Sequence, residues 1–167
     1  VHSFPTRRSS DLTKDLILAT FMRACEVSDF PAGLAMQAYL RSGPDDAQRI
    51  IDFAKRIGRP ITVRLVKGAY WDHEVIRAQE QGWACPVWTD KAATDACFEK
   101  MAGLLLGAHD AGVRMACGSH NARSIGHALA VAESLGLRKD AVEMQMLYGM
   151  ADGLKAACLE RGLRVRQ

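Results

Sequence analysis

Segments with the apolar, β-branched composition of strands alternate with segments of helical periodicity along nearly the whole chain, and no other feature constrains the fold as strongly. The strand-like segments are residues 33–40, 61–66, 113–117, 141–147 and 163–165, and the helix-like segments are residues 15–26, 44–57, 71–81, 89–109, 121–135 and 152–160. Strand–helix units of about 30 residues place parallel strands side by side, with helices outside them. The pattern predicts an α/β protein. Periodicity alone leaves open both a doubly wound sheet and a closed barrel.

Chain length limits how much of a barrel these segments can build. A complete (βα)8 barrel has eight strands and typically needs about 250 residues, whereas this chain has 167. We therefore expect a partial (βα)8 TIM-like barrel, with about five of the eight parallel strands and their surrounding helices. Residues 85–88 are a candidate for a further short strand.

Residues 1–12, VHSFPTRRSSDL, differ in composition from the rest of the chain. They combine Ser, Arg and Pro without an apolar period, and the helical pattern begins only after them. We predict that this stretch is foreign to the domain, with a disordered arm as the alternative. The partial barrel is then expected over residues 13–167.

Charge and hydropathy exclude several classes of protein. The formal charge of +3 comes from 22 basic residues scattered among 19 acidic ones, so the sequence has no basic stripe that would indicate nucleic-acid binding. No apolar run reaches the roughly 18 residues of a membrane span, and the N-terminus lacks the apolar core of a secretory signal. A cytoplasmic location is the expectation.

The cysteines and histidines do not form a metal-binding pattern. The chain has five cysteines, widely spaced and without a C-x-x-C pair, and we expect buried free thiols. The spacing of His109, His120 and His127 fits no standard zinc arrangement, so no metal site is predicted.

Polar residues follow or interrupt three of the predicted strands near their carboxyl ends, where the active sites of α/β barrels lie. Gln37 and Tyr39 lie late in the strand-like segment 33–40, residues 67–71 (KGAYW) follow the next strand, and residues 118–121 (GSHN) follow the third. An arginine inside an apolar strand costs several kcal/mol unless it is paired, so we expect Arg64 to face a polar pocket. A structural salt bridge is the alternative.

Neither a G-x-G-x-x-G nor a G-x-x-x-x-G-K-[ST] motif is present, which argues against a nucleotide-binding fold.

The segment VRLVKGAYWD resembles the proline dehydrogenase family, and so do LAMQAYLR before it and PVWTDKAATD, SHNARS and EMQMLYGM after it, in the same order and spacing. The variants PVWT, SHNARS and MLYGM are most similar to the bifunctional bacterial branch of the family, proline utilization A, in which the flavin domain is fused to an aldehyde dehydrogenase. The resemblance covers about residues 13–166. The decapeptide is very specific, whereas the SHN motif alone is weak.

The resemblance implies a (βα)8 barrel that holds FAD noncovalently at the strand ends. It implies hydride transfer from L-proline to flavin N5, with pyrroline-5-carboxylate as the product and quinone as the electron acceptor. Contact with quinone would bring the full-length enzyme to the inner membrane as a peripheral protein. A fused aldehyde dehydrogenase domain is a further implied partner.

Residue roles follow from the resemblance motif by motif. Arg64 is the implied catalytic residue, which donates a hydrogen bond near flavin N5. Cofactor contacts are implied for Gln37, Arg64, Lys67, Gly68, Ala69, Trp71, Ser119, His120 and Asn121, and substrate contacts for Tyr70 and Leu147. Without the resemblance, a histidine such as His120 would more often be a hydrogen-bonded structural residue. Glu143 and Gln145 are expected to form an interior polar layer or to support the flavin.

Two local departures from the family pattern lie at turns. Ala151-Asp152-Gly153 stands where the family has a Gly-acid step followed by Pro, and Gly118 stands where it has a small Ala or Thr. The family's early strands, and its Arg-Arg pair and glutamate on the final helix, have no counterpart in this sequence, so we expect these 167 residues alone to be inactive. The rival readings are a non-catalytic partial-barrel module for binding or assembly, and a barrel enzyme with a phosphate-bearing substrate.

Overall fold

A single parallel sheet forms the centre of the structure, a computed structural model that describes residues 9–167. Its strands are β1 (Ala32–Gln37), β2 (Ile61–Val66), β3 (Val113–Gly118), β4 (Val142–Gln145) and β5 (Arg164–Arg166). The strands lie side by side in chain order. A doubly wound sheet reverses its strand order at a switch point, whereas a barrel does not. The fold is therefore a partial (βα)8-type barrel, as predicted.

Within residues 9–167, six helices connect and flank the strands. They are α1 (Ser9–Val27), α2 (Gly43–Ile57), α3 (Trp71–Glu80), α4 (Lys91–Gly107), α5 (Ala122–Ser134) and α6 (Asp152–Glu160), with single 3-10 turns at His109–Ala111 and Lys139–Ala141. The predicted boundary at residue 12 stays a prediction, because residues 1–8 lie outside the described part of the chain and α1 begins at Ser9.

The two faces of the sheet differ in chemistry. One face packs against the helices and carries the buried side chains of Met36, Val63, Leu65, Met115, Cys117, Val142 and Met144. The other face is concave and carries small or polar residues, including Ala35, Arg64 and Glu143. It lines a groove of about 1410 Å³. In a barrel fold this second face is the interior, so the polar side chains of β2 and β4 point inward.

Residues 85–88 do not form the predicted extra strand. Leu40 and Val87 make only an isolated antiparallel bridge. Pro86 has no N–H with which to continue a ladder, and its carbonyl accepts a single bond of 3.0 Å from the Arg41 N–H. The predicted strand over residues 33–40 also ends early, at Gln37, because the chain then turns.

The cysteines are free thiols, as predicted. Four are buried and Cys85 is half-buried. Burial raises the pKa of the Cys117 thiol to about 12.

Within residues 9–167, no helix has the length and apolar character needed to cross a membrane.

Candidate functional site

Arg64 lies at the middle of the concave face, between two small residues. The strand register places it opposite Ala35 on β1 and Ala116 on β3. Neighbouring strands lie about 4.8 Å apart, so large side chains at positions 35 and 116 would cover the arginine. Alanine at both positions leaves the guanidinium accessible from the groove.

Gly118 provides further space beside Arg64. A Cβ atom at this position would lie 3.2 Å from the Arg64 Nε atom and 2.7 Å from Val66 Cγ1. The second distance is shorter than van der Waals contact allows. The departure noted at Gly118 therefore has a physical reason, because the guanidinium and Val66 occupy the volume that a larger residue would need.

The Arg64 guanidinium makes no hydrogen bond and no ion pair with any residue between 13 and 167. The other arginines of this face are engaged. Arg164 and Arg166 each place Nε 3.0 Å from the Glu143 carboxylate, and Arg114 donates to the His109 carbonyl at 2.6 Å. The salt bridge considered for Arg64 is thus not formed within the described chain, and its charge faces the groove.

Glu143 and Gln145 form an interior polar layer, one of the two roles expected for them. Gln145 Nε2 donates to Glu143 Oε1 at 2.7 Å. Together with the two arginines of β5, this bond satisfies the Glu143 carboxylate, whose side chain is 11% exposed. The layer ties β4 to β5 through side chains as well as through the backbone.

Gln37 lies on the same face as Arg64, one strand away and one step nearer the carboxyl ends. It pairs in register with Val66, whereas Arg64 pairs with Ala35. The two residues are diagonal neighbours, within reach of one another for long side chains. Gln37 also lines a smaller cleft of about 310 Å³, together with Tyr39, Glu74 and Arg77.

Lys67 leaves the end of β2 and pairs with α4. Its Nζ lies 2.5 Å from Asp95 Oδ1, and Lys91 Nζ lies 2.6 Å from the other oxygen of the same carboxylate. Hydrogen bonds from the two lysines hold the pKa of Asp95 below its usual range. Sequence reasoning missed Asp95, since nothing in its own segment indicates a partner 28 residues away.

Gly68 and Trp71 shape the turn between β2 and α3. Gly68 has φ of +128°, a conformation that L side chains rarely adopt. Trp71 donates its indole N–H to the Trp88 carbonyl at 2.7 Å. Ala69 and Tyr70 are exposed at the tip. The turn is therefore fixed at both ends, with its middle open to solvent.

Residues 119–121 are largely occupied by local structure. The Asn121 side chain caps α5 by accepting from the Ser124 N–H at 3.1 Å, and Ser119 Oγ accepts from the Asn121 N–H at 3.1 Å. His120 Nε2 accepts from the Leu147 N–H at 2.9 Å. Asn121 is one of the residue types that cap helix N-termini, so its cap role could have been predicted from the sequence.

Tyr70 and Leu147, the implied substrate contacts, lie on different loops. Tyr70 follows β2 and Leu147 follows β4, and both side chains are more than half exposed. They share only the carboxyl-end side of the sheet.

Comparison with known proteins places these features in context. The proline dehydrogenase family model matches residues 8–167. The bifunctional protein PutA of Rhizobium meliloti is 38% identical over 136 residues, which are 78% of this chain and 10% of that protein. Hydroxyproline dehydrogenase of Xenopus laevis is 27% identical over 155 residues, 90% of this chain and 33% of that protein.

A solved structure gives the same result. Proline utilization A from Bdellovibrio bacteriovorus, inactivated by N-propargylglycine, matches with a TM-score of 0.86 and 39% identity, over 96% of this chain and 17% of that one. The chain thus spans 10% of the length of the PutA relative and 33% of that of the hydroxyproline dehydrogenase.

Proposed function

The chain belongs to the proline dehydrogenase family, and from this membership we propose that it forms the flavin-contacting part of an enzyme that oxidises L-proline to pyrroline-5-carboxylate. FAD is the proposed cofactor and quinone the proposed electron acceptor. Because quinone is a membrane molecule, we propose a cytoplasmic enzyme that contacts the inner membrane peripherally. A fused aldehyde dehydrogenase domain is proposed from the similarity to the bifunctional relatives.

The observation that carries the proposal is the Arg64 guanidinium, which lies among small residues and makes no hydrogen bond or ion pair within residues 13–167. Bound FAD would accept a hydride at its N5 atom. A guanidinium stays protonated at any working pH and donates several hydrogen bonds, so Arg64 suits a ring that gains negative charge. Ala35 and Ala116, the neighbours of Arg64 in the strand register, leave room for a flat molecule beside it. The residues present therefore fit the cofactor.

The remaining proposed contacts surround Arg64 at the carboxyl ends of the strands. On one side they are Gln37, Lys67, Gly68, Ala69 and Trp71, and on the other Ser119, His120 and Asn121. The hydrogen bonds described above restrict how the second group acts. Asn121 Oδ1 is used by the helix cap, so its Nδ2 amide is the group left to donate. Tyr70 and Leu147 are proposed to border the proline ring.

Turnover by these 167 residues in isolation is not expected. Within the described chain, β1 and β5 are the edges of an open sheet, and an open sheet leaves one side of the interior face without a wall. Catalysis depends on holding substrate and cofactor in a fixed geometry that excludes water. We expect no proline-dependent dye reduction by the isolated chain.

Titration with FAD tests the proposal. We expect saturable quenching of flavin fluorescence, and Arg64→Lys should weaken binding about tenfold, because an ammonium cannot replace a planar two-donor fork. Arg56→Lys is the matched control, since Arg56 is exposed at the end of α2, pairs with Glu26 and lines neither groove. Absence of saturable binding by the folded chain would instead favour a non-catalytic binding or assembly module.

A further inference from the structure

We propose that Tyr39 is a positioning residue whose ring fixes the path of the turn over residues 67–71. Its importance for FAD rests on the proposed function, because the turn carries Lys67, Gly68, Ala69 and Trp71. Its effect on the turn itself does not depend on any ligand. Tyr39 follows β1, and neither the motif roles nor the predicted strand pattern assigned it a task.

The ring of Tyr39 lies directly against the backbone of Gly68. A Cβ atom on Gly68 would lie 2.5 Å from Tyr39 Cγ and 2.6 and 2.7 Å from its two Cδ atoms. Three ring atoms at this distance mean that the glycine Cα faces the ring itself rather than its edge. The ring therefore sterically limits the position of the turn, and only glycine fits at residue 68.

Backbone hydrogen bonds attach Tyr39 to both ends of the turn. Its N–H donates to the Lys67 carbonyl at 2.7 Å, and its carbonyl accepts from the Trp88 N–H at 2.8 Å. Trp88 in turn accepts the indole N–H of Trp71 at 2.7 Å. These three hydrogen bonds join Lys67 to Tyr39, Tyr39 to Trp88 and Trp88 to Trp71. They therefore connect the two ends of the turn. Movement of residue 39 is thus transmitted to the beginning and the end of the turn together.

Burial restricts the motion of the Tyr39 ring and keeps its phenol uncharged. Tyr39 is 3% exposed and packs with Leu40 and Val87. Burial first, and then the nearby charges of Glu74 and Tyr70, raise the pKa of the Tyr39 phenol to about 12. The side chain therefore stays uncharged over the ordinary pH range. The ring, rather than the hydroxyl, is the part that contacts Gly68.

Loss of the ring should lower the fraction of molecules whose turn is correctly placed. The apparent affinity of a ligand falls in proportion to that fraction, so a turn that is correctly placed one tenth of the time weakens binding about tenfold. Tyr39→Phe keeps the ring and should behave as wild type. Tyr39→Leu removes the ring, so we expect this variant to bind FAD more weakly than wild type.

Hydrogen exchange at the amides of residues 39 and 88 tests the positioning role without flavin. We expect Tyr39→Leu to speed exchange there about tenfold, while Tyr39→Phe leaves it unchanged. Phe53→Leu is the matched control, because Phe53 is 2% exposed on α2 and its loss should leave these two amides no more open than the rest of the chain. FAD titration of the same variants should show the same order of affinities.

Three results would decide against the proposal: wild-type exchange in Tyr39→Leu, equal effects of the Phe and Leu variants, or an effect of Phe53→Leu on these amides as large as that of Tyr39→Leu. If wild type fails to bind FAD while exchange behaves as expected, the proposed function fails and the positioning role stands. If Tyr39→Leu does not fold, Gly68→Ala displaces the turn from the other side. Unchanged exchange at residues 39 and 88 in that variant would overturn the inference.

Discussion

The imidazole Nε2 of His120 accepts a hydrogen bond of 2.9 Å from the main-chain N–H of Leu147, and this bond joins the turn after β3 to the turn after β4. Two segments to which we assign cofactor and substrate contacts are thereby held together. The bond restrains the Leu147 backbone at the beginning of the turn after β4.

We predict that His120→Ala loosens the turn after β4. A hydrogen bond of this kind contributes about 1 kcal/mol, which corresponds to roughly fivefold faster exchange of the Leu147 amide. NMR-detected hydrogen exchange measures that amide directly. His127→Ala is the control, because it also removes a half-buried imidazole but does so from α5 rather than from the turn after β3. Equal exchange of the Leu147 amide in wild type and His120→Ala would contradict the prediction.

Gly118→Ala should destabilise the fold and disturb Arg64. The new methyl group would lie 2.7 Å from Val66 Cγ1 and 3.2 Å from Arg64 Nε, and overpacking of this kind costs about 1–3 kcal/mol. Urea unfolding measures the loss, and FAD titration should show weaker binding in the same variant.

Gly103→Ala is the opposite case and serves as the control. Gly103 lies inside α4, and nothing lies within 4 Å of the position its Cβ would take. Alanine there should stabilise the chain by about 0.5–1 kcal/mol. If both alanine variants changed the free energy of unfolding by the same amount, the contact argument at Gly118 would be wrong.

Most elements of the fold could be predicted because local signals and packing agree. β2 has the predicted bounds, 61–66, since Pro60 and Gly58 separate its β-branched residues from α2. Residues 152–160 form a helix with the predicted bounds. Residues 85–88 were the failure, because their apolar character was read without the missing N–H of Pro86.

The position of Arg64 on the polar face was predictable from the sequence, whereas the contacts of the neighbouring residues were not. A charged residue alternating with Val63 and Leu65 placed Arg64 on the polar face. The contact of Tyr39 with Gly68 and the pair of Lys67 with Asp95 join distant segments, and no periodicity links such positions. Gly118 was noted as a departure, but its reason appeared only when β2 and β3 were side by side.

Ala151→Gly should stabilise the chain. Ala151 precedes α6 with φ of 54°, and no other non-glycine residue of the described chain has a positive φ. The left-handed conformation costs an L residue about 1–2 kcal/mol. Glycine removes this cost, but it loses more conformational entropy on folding than alanine, and this loss offsets part of the gain. We expect a net gain of about 0.5–1 kcal/mol in urea unfolding.

The control for Ala151→Gly lies in the same helix. Ala157 is an exposed residue inside α6, so Ala157→Gly should destabilise by about 0.5–1 kcal/mol. Opposite signs for the two variants are the expected outcome. A loss of stability in Ala151→Gly would show that the turn before α6 is not strained in solution.

Cys117 should make the stability of the chain fall at alkaline pH. Burial raises the pKa of its thiol to about 12, from an ordinary value of 9.0. Its contribution is therefore complete below pH 9, where the thiol is protonated in both states, and is lost as the pH rises towards 12, because only the unfolded thiol ionises. The free energy of unfolding should fall by about 1 kcal/mol between pH 8 and pH 10 from this group.

Cys117→Ala isolates the effect, since it removes the titrating group from the same site. The difference in free energy of unfolding between wild type and Cys117→Ala should shrink by about 1 kcal/mol from pH 8 to pH 10. Val63→Ala is the control, because Val63 is equally buried on β2 and does not titrate. Its deficit relative to wild type should stay constant over the same range. A constant deficit in Cys117→Ala as well would mean that the Cys117 thiol ionises as readily in the folded chain as in the unfolded one.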